Sequence, residues 1–260
     1  MDGAADEAAA PAGAGLRLAA LLAHPDDESR IVGGTLALYA SRGARVSLYC
    51  ATRGEAGDPS LPPERVGRLR ERELRAACSI LGVTTLRLGR FPDGGLDRAD
   101  PDDVVADMVG FLRAERPQVV VTFGPDGRTG HPDHVAVGAL AETAFDRAGD
   151  ALAFPDQLAQ GLPTWRPGRL YHTAVARSVA SRIGWRHASL PDRSLVAVDV
   201  SEVLDRKRRA AVEAHASQWA LSPFDLAAGW EPFAVEHFRP LRPSGPPGEA
   251  GGADLFSGLP

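Results

Sequence analysis

The chain has 260 residues, 44% of them hydrophobic, and a formal net charge of −5 at pH 7, a composition typical of a globular protein with enough apolar residues for a large core. The mild negative charge, with no basic stripe in the sequence, gives nucleic-acid binding no electrostatic support. No stretch of the sequence approaches the ~18 apolar residues of a membrane span, so no membrane partner is expected.

Both ends of the chain differ in composition from the rest. Residues 1–15 are rich in Ala and Gly, without a basic segment or a long apolar run. They are predicted to be a disordered leader rather than a signal peptide, and a cytoplasmic location is expected. Residues 241–260 are predicted to be an irregular, Pro- and Gly-rich tail. Residues 16–240 are predicted to form one domain, in which Cys50 and Cys78 are reduced core thiols.

Strand and helix patterns alternate along this domain. The predicted strands cover residues 16–23, 45–51, 85–88, 118–123, 170–175 and 195–200. The predicted helices cover 33–41, 63–81 with Gly82 as a stop, 100 to the residue before Pro117, a segment after His134, and 201 to about 216. This order predicts an α/β fold, a Rossmann-like three-layer sandwich with a mostly parallel sheet. Segment 148–168 contains three prolines and is predicted to be an inserted loop that forms one wall of the active site.

The end of the first predicted strand carries a histidine and several carboxylates. The string at 23–28 is Ala-His-Pro-Asp-Asp-Glu, and ligands of open α/β sheets bind at the C-terminal strand ends. His24 and Asp27, three positions apart on one turn, can share a divalent metal. Asp26 between them is then free to act as a base. His-Pro-Asp on its own is also a common turn sequence.

A second cluster of the same kind follows the apolar run at 119–123. It reads His131-Pro132-Asp133-His134. Two strand ends with His/Asp clusters predict a hydrolase with one Zn²⁺ per chain, bound by His24, Asp27 and His134 with an open fourth position.

Several roles in this site stay open. Asp26 is assigned as general base, with support of a histidine ligand as the alternative. For Glu28 a structural role in the turn is favoured over a catalytic role. A protonated His131 would stabilise an oxyanion or protonate the leaving amine, with Asp133 orienting it and raising its pKa. In the alternative, His131 is itself a metal ligand.

The two motifs together resemble those of the LmbE-like, or PIG-L-type, zinc-dependent N-deacetylases. Further similar segments lie at 52–57, 70–82, 91–94, 190–192 and 214–218, so the resemblance covers about residues 16–220. The resemblance implies a Rossmann-like sheet with zinc on His24, Asp27 and His134. It also implies Asp26 as general base, and His131, supported by Asp133, as the oxyanion-stabilising or acid group.

The resemblance also implies a sugar pocket. In sugar-processing members an arginine and an aspartate at the places of Arg70 and Asp93 line the substrate pocket. Without the resemblance, these would be a solvated helix residue and a turn residue. His215 and Gln218, one turn apart on the last predicted helix, are expected to face the same cleft, the alternative being a buried polar pair.

Two positions depart from members that deacetylate the sugar precursor of mycothiol. Thr129 stands where those members have a tyrosine just before the second motif, and Ile31 stands where they have a polar residue. These differences argue against that particular substrate but leave the metal site intact.

The expected activity is hydrolysis of an acetamide, or another short N-acyl amide, on an amino sugar or sugar conjugate. The partner is a small molecule, and a homo-oligomer is left open. No nucleotide is implied, because Gly33-Gly34 is not a G-x-G-x-x-G fingerprint, which also disfavours an oxidoreductase. The alternatives are an amidase for a thiol conjugate or acylated natural product, and a non-catalytic metal-dependent binding protein.

Overall fold

Seven strands form a single sheet in the computed structural model, which describes residues 13–219, 229–242 and 254–259. Most of the predicted leader (1–12) and most of the predicted tail lie outside the described residues. The strands are β1 (Arg17–Leu22), β2 (Arg45–Thr52), β3 (Thr85–Phe91), β4 (Val119–Phe123), β5 (Arg169–Ala174), β6 (Val196–Asp199) and β7 (Val235–Arg242).

Helices cover both faces of this sheet, so the α/β class predicted from the sequence is confirmed. They are α1 (Asp27–Ile31), α2 (Gly33–Ser41), α3 (Pro63–Leu81), α4 (Pro101–Glu115), α5 (Gly127–Gly130), α6 (Pro132–Ala148), α7 (Pro155–Ala159), α8 (Arg177–Ile183), α9 (Leu204–Arg209) and α10 (Ala216–Trp219). Helix α3 ends as predicted, because Gly82 adopts φ 80°, a left-handed conformation that suits glycine.

The strand order is β3-β2-β1-β4-β5-β7-β6, and β1 to β5 are parallel. The central strands β1 and β4 are almost entirely buried, which is why both appear in the sequence as unbroken apolar runs. The order of the strands reverses between β1 and β4. Their C-terminal ends therefore flank the crevice where open α/β sheets bind ligands, and each of the two His-Pro-Asp motifs follows one of these ends.

Strand β7 was not predicted. It lies between β5 and β6 and is antiparallel to both, and it continues to Arg242, two residues into the segment predicted to be irregular. Pro240 pairs with Tyr171 at the point where the β5–β7 register shifts. A proline within a strand pattern normally argues against a strand, because it has no N–H to donate to the ladder.

The proline-bearing segment 148–168 does not form a wall of the active site, contrary to prediction. It packs against the N-terminal ends of the strands, where the Trp165 indole N–H donates to the Pro117 carbonyl at 2.6 Å. The buried Arg113 guanidinium binds four carbonyl oxygens of this segment, those of Ala148, Asp150, Ala153 and Phe154. This segment therefore supports the base of the molecule.

Other predictions concern single residues and the chain end. Cys50 and Cys78 are free and buried, as expected. Within the tail, Phe256 packs on Tyr39 with ring centroids 5.1 Å apart, so part of the predicted tail contacts the domain. Among the described helices none combines the length and the apolar character needed to cross a membrane.

A buried carboxylate connects β7 to both α2 and α9. The Glu236 carboxylate accepts the backbone N–H groups of Gly34 and Thr35, each at 2.8 Å, and lies 2.7 Å from the Lys207 ammonium. The carboxylate thus satisfies two of the free N–H groups at the start of α2 and complements its dipole.

Replacing Glu236 with Gln should therefore destabilise the fold strongly. The Lys207 ammonium would stay buried without its counter-charge, a loss of about 3–5 kcal/mol for pairs of this kind. Urea unfolding would measure it. Glu202→Gln is the control, since Glu202 pairs with Arg42 at the surface and its side chain is 61% exposed; it should change the free energy of unfolding by less than ~1 kcal/mol. Equal effects of the two substitutions would show that the buried pair does not contribute much to the stability of the fold.

Candidate metal centre and active site

The two motifs meet at the C-terminal ends of β1 and β4. The Nδ1 atom of His24 lies 3.1 Å from the Nε2 atom of His134. The Asp27 carboxylate lies beside both, with one oxygen 3.7 Å from His24 Nδ1 and the other 3.4 Å from His134 Nε2. All three residues are less than a tenth exposed.

Hydrogen bonds on the far side of each ring fix which nitrogen faces its neighbour. His134 Nδ1 lies 3.1 Å from the Gly127 carbonyl, and the ring stacks on Phe123 with centroids 4.0 Å apart. His24 Nε2 lies 3.1 Å from both Asp133 and Asp93. Protons on these outer nitrogens leave lone pairs on His134 Nε2 and His24 Nδ1, directed at each other.

Such an arrangement fits a metal ion. Two acceptor nitrogens 3.1 Å apart, with a carboxylate beside them, repel each other unless a cation or a proton lies between. A tetrahedral zinc site with bonds of about 2.0–2.1 Å separates its donor atoms by roughly 3.3 Å, close to the spacings seen. A second combination also exists, because ring nitrogens of His24, His131 and His134 lie within 4.8 Å of one another.

The charges around His24 and Asp27 show how strongly the cluster favours a cation. Burial lowers the pKa of His24, but hydrogen bonds to Asp133 and Asp93 and the charge of Asp27 outweigh it and raise this pKa to about 10. Burial opposes ionisation of Asp27, yet His134 and His24 hold its pKa well below its usual value. Carboxylates bonded to the outer nitrogen of a histidine are the usual support of a metal ligand.

Asp26 lies next to the cluster on a strained backbone, with φ 105°. Its carboxylate is 3.3 Å from the Arg30 Nε atom and 3.4 Å from an Arg70 nitrogen. Burial, followed by the neighbouring charge of Asp27, raises the pKa of Asp26, and the two arginines oppose the shift. A partly exposed carboxylate with a raised pKa beside a metal cluster has the properties of a proton acceptor.

Arg70 is not a solvated helix residue. It is 4% exposed, donates to the Gly54 carbonyl at 2.9 Å, and lies 4.0 Å from Asp93. Its guanidinium thus connects Asp26, Asp93 and the loop after β2. Arg70 and Asp93 both line the cleft, but much of the hydrogen-bonding capacity of Arg70 is already used inside the protein.

The predicted partnership between Asp133 and His131 is not observed. The fully buried Asp133 carboxylate accepts from the backbone N–H of Gly94 at 2.7 Å and of Leu96 at 3.0 Å, besides contacting His24. His131 instead caps α6, because its Nδ1 accepts the Asp133 backbone N–H at 3.2 Å.

The pKa of His131 also moves against expectation. Burial and then the nearby His24 and His134 lower it, as does a position at the N-terminus of a helix. The lowered pKa favours the neutral form of His131 over the protonated form predicted, and because Nδ1 accepts the Asp133 N–H, the proton of the neutral ring lies on Nε2.

His215 does not face the cleft. It is fully buried, and its Nε2 lies 2.7 Å from the Glu28 carboxylate. Burial lowers the pKa of His215, but the charge of Glu28 outweighs this and raises it. The predicted helix from 201 is interrupted by a π-helical segment, Ala210–Ala214, which ends at His215. The prediction of a cleft position was wrong for His215. The residue is buried, as in the alternative, but its side-chain partner is Glu28 rather than Gln218.

Gln218 is likewise 9% exposed and is not among the residues that line the cleft. Its side-chain amide donates to the Ser217 hydroxyl at 3.3 Å. Glu28 also accepts from the Asp26 backbone N–H at 3.0 Å, which gives Glu28 the structural role preferred from the sequence.

The cleft in front of the cluster has a volume of about 730 Å³. Its walls include residues that the sequence analysis did not single out, namely Arg128, Ile183, Trp185, Arg186, His187, Trp230 and Phe233. They come from α5, from the end of α8 and from the turn before β7. No metal-type or catalytic motif marks these residues, so only their tertiary position reveals them. Thr129 and Ile31 also line this cleft.

Comparison with known proteins supports a common origin with enzymes. Residues 19–145 match the PIG-L family, described as GlcNAc-PI de-N-acetylase. A 1D-myo-inositol 2-acetamido-2-deoxy-alpha-D-glucopyranoside deacetylase from Thermobispora bispora is 35% identical, over 91% of this chain and 96% of that protein. A protein of the same name from Rhodococcus opacus is 36% identical, over 94% and 98%.

A solved structure shows the same fold. The N,N'-diacetylchitobiose deacetylase from Pyrococcus horikoshii superposes with a TM-score of 0.69 at 23% identity, covering 90% of this chain and 84% of that one.

We expect the purified protein to bind about one divalent metal ion per chain. His134→Ala should abolish stoichiometric binding because it removes a central donor atom, and Asp133→Asn should weaken binding 10–100-fold, as loss of a ligand's support typically does. Metal analysis and competition with a chelator would measure both. His187→Ala, which changes a cleft histidine outside the cluster, is the control. Unchanged metal content in His134→Ala would contradict the site.

The packing of Arg70 predicts a contrast between two glycines with positive φ. At Gly54 (φ 65°) a Cβ atom would lie 2.1 Å from the Arg70 guanidinium, whereas at Gly94 (φ 73°) it would meet nothing within 4 Å. Gly94→Ala should thus cost only backbone strain, about 1–3 kcal/mol, and Gly54→Ala clearly more. Urea unfolding of both variants would test this, and equal losses would mean that Arg70 adjusts freely.

Proposed function

The chain belongs to the PIG-L, or LmbE-like, family of de-N-acetylases, and on that premise we propose that it is a zinc-dependent hydrolase that removes an acetyl or other short acyl group from the nitrogen of an amino sugar or sugar conjugate. One observation carries the proposal. Donor atoms of His24, Asp27 and His134 converge within 3.7 Å of one another, next to the carboxylate of Asp26.

The three converging residues would hold the metal. A divalent ion there supplies a Lewis acid that polarises an acyl carbonyl and lowers the pKa of water. His24, Asp27 and His134 together contribute one negative charge, which leaves the ion electron-poor. Zinc fits this mixed nitrogen and oxygen donor set.

Asp26 acts as the general base. Its carboxylate takes the proton of the attacking water, and its raised pKa makes it a stronger base than an exposed aspartate. Arg70 and Arg30, each within 3.4 Å of one carboxylate oxygen, fix its orientation and keep it ionised. The same proton can then pass from Asp26 to the leaving amine.

His131 donates a hydrogen bond. Because its Nδ1 accepts the Asp133 backbone N–H, the proton on Nε2 is available to the cleft, where it stabilises the oxyanion that develops when the amide carbonyl is attacked. A neutral imidazole suffices for this role.

The substrate is a small molecule. The relatives named above act on N-acetylated glucosamine derivatives by their names, and a cleft of about 730 Å³ accommodates a sugar conjugate. Asp93 lies at the wall of this cleft and can accept a sugar hydroxyl. A non-catalytic binding protein would not need Asp26 and His131 at these positions, so we assign an enzyme.

A screen of the metal-loaded protein for release of free amine tests the proposal. The panel contains N-acetylglucosamine glycosides, chitooligosaccharides, and N-acylated thiol conjugates. We expect turnover of at least one N-acetyl sugar by the wild type. The Asp26→Asn variant is the matched control for contaminating activity. Turnover of thiol conjugates alone would replace the sugar deacetylase with an amidase.

Asp26→Asn should retain the metal and lose most of kcat, since the nearly isosteric amide cannot accept a proton. Loss of a general base typically costs 10²–10⁴-fold. Steady-state kinetics beside metal analysis of the same samples would measure it.

His131→Asn should lower kcat by roughly 10²–10³-fold, the usual effect of removing an oxyanion donor, again with metal retained. Near-wild-type kcat in Asp26→Asn would leave Asp26 only a supporting role, and loss of metal in His131→Asn would make His131 a ligand.

A further inference from the structure

One part of the cleft has a composition different from the metal cluster. This part, the outer cleft, is lined by Arg128, Ile183, Trp185, Arg186, Trp230 and Phe233. The carboxylates that line the cleft, Asp26, Asp27 and Asp93, all belong to the metal cluster and its surroundings. Among the described residues, the outer cleft therefore combines aromatic surface with positive charge.

Arg128 is held in this place at a cost. Its backbone has φ 59° and ψ −49°, a conformation that non-glycine residues rarely adopt and that costs of order 1–3 kcal/mol. Strain of this kind persists mainly at functional sites.

Arg128 is half-buried, and its guanidinium has no counter-charge in contact. Within the described residues it forms no hydrogen bond or ion pair, and its observed contact is with the Trp185 ring, whose centroid lies 5.7 Å from Cζ. Arg30 and Arg70, by contrast, both pair with Asp26. Arginine keeps its charge when buried, so Arg128 presents an unpaired fork of donors to whatever occupies the cleft.

We propose that the outer cleft is a subsite for an anionic group, a carboxylate or a phosphate ester, on the part of the substrate remote from the acyl amide. Arg128 binds the anion, while Trp185 and Trp230 pack against the adjoining apolar face. The inference rests on the proposed function and narrows its substrate class. Arg128 is directed toward Trp185, and in the described residues it makes no hydrogen bond to Asp26 or His131, which separates its role from the chemical step.

Two matched substrate pairs test the subsite and distinguish a carboxylate from a phosphate ester as its ligand. The first pair is the para-carboxyphenyl and para-carbamoylphenyl glycosides of N-acetylglucosamine, which differ in charge but hardly in shape. The second is N-acetylglucosamine 1-phosphate and the methyl glycoside. The wild type should favour the anionic member of at least one pair by roughly 10–100-fold in kcat/KM, the usual effect of a charge-assisted hydrogen bond. The pair that shows the preference identifies carboxylate or phosphate.

Arg128→Gln should bring the ratio of kcat/KM for the anionic and the neutral substrate close to one. Arg128→Lys should keep part of this ratio because the charge remains. Arg128→Gly removes the guanidinium and relieves the backbone strain, so loss of the ratio in this variant cannot be attributed to misfolding. Arg166→Gln is the control for net charge, since Arg166 is exposed on the segment at the opposite edge of the sheet. The ratio should be unchanged there.

Three outcomes would overturn the subsite: no preference for either anion in the wild type, a preference that survives Arg128→Gln, or an equal fall in kcat for neutral and anionic substrates. The last would make Arg128 an oxyanion donor. If no substrate is hydrolysed, the proposed function fails first, and the subsite is then decided by calorimetry with glucosamine 1-phosphate against methyl glucosaminide. Equal affinities would reject it.

Discussion

The metal cluster depends on the contacts made by the carboxylate of Asp133. This carboxylate is fully buried at the start of α6, and it binds the outer nitrogen of His24 together with the backbone N–H groups of Gly94 and Leu96. One side chain thereby joins the ends of β1, β3 and β4. The charge is tolerable in the interior because every contact donates to it, and these contacts hold its pKa below the usual value despite burial. The orientation of His24, and with it the metal cluster, follows from this single position.

Much of this arrangement was predictable from the sequence. The buried strands β1 and β4 are unbroken apolar runs, and a parallel sheet brings their C-terminal ends together, so the meeting of His24, Asp27 and His134 followed from topology. Helix α3 was predictable from its length, its periodicity and Gly82. The two strands and the helix are each determined by their local sequence, so tertiary packing does not alter them.

Other features depend on packing that no local pattern records. Strand β7 carries a proline and several charged residues. Of these Glu236 is buried, where Lys207 and the start of α2 meet its carboxylate. Sequence spacing alone does not show which histidine binds the Asp133 carboxylate. His131 is nearer in the sequence, but His24 is nearer in space. The inward turn of His215 arises from a π-helical segment, whereas helical periodicity assumes an uninterrupted α-helix.

The position of β7 has a consequence for how the chain folds. The Glu236 bond to Gly34 spans 202 residues, and β7 occupies an inner place in the sheet although it follows β6 in the chain. Until β7 inserts, the edge of β5 exposes unpaired backbone groups that can join another strand. Contacts of such separation form late and slow the search for the native state. During the interval between synthesis of β5 and insertion of β7, a nascent chain therefore presents a sheet edge that can pair with a strand of another chain.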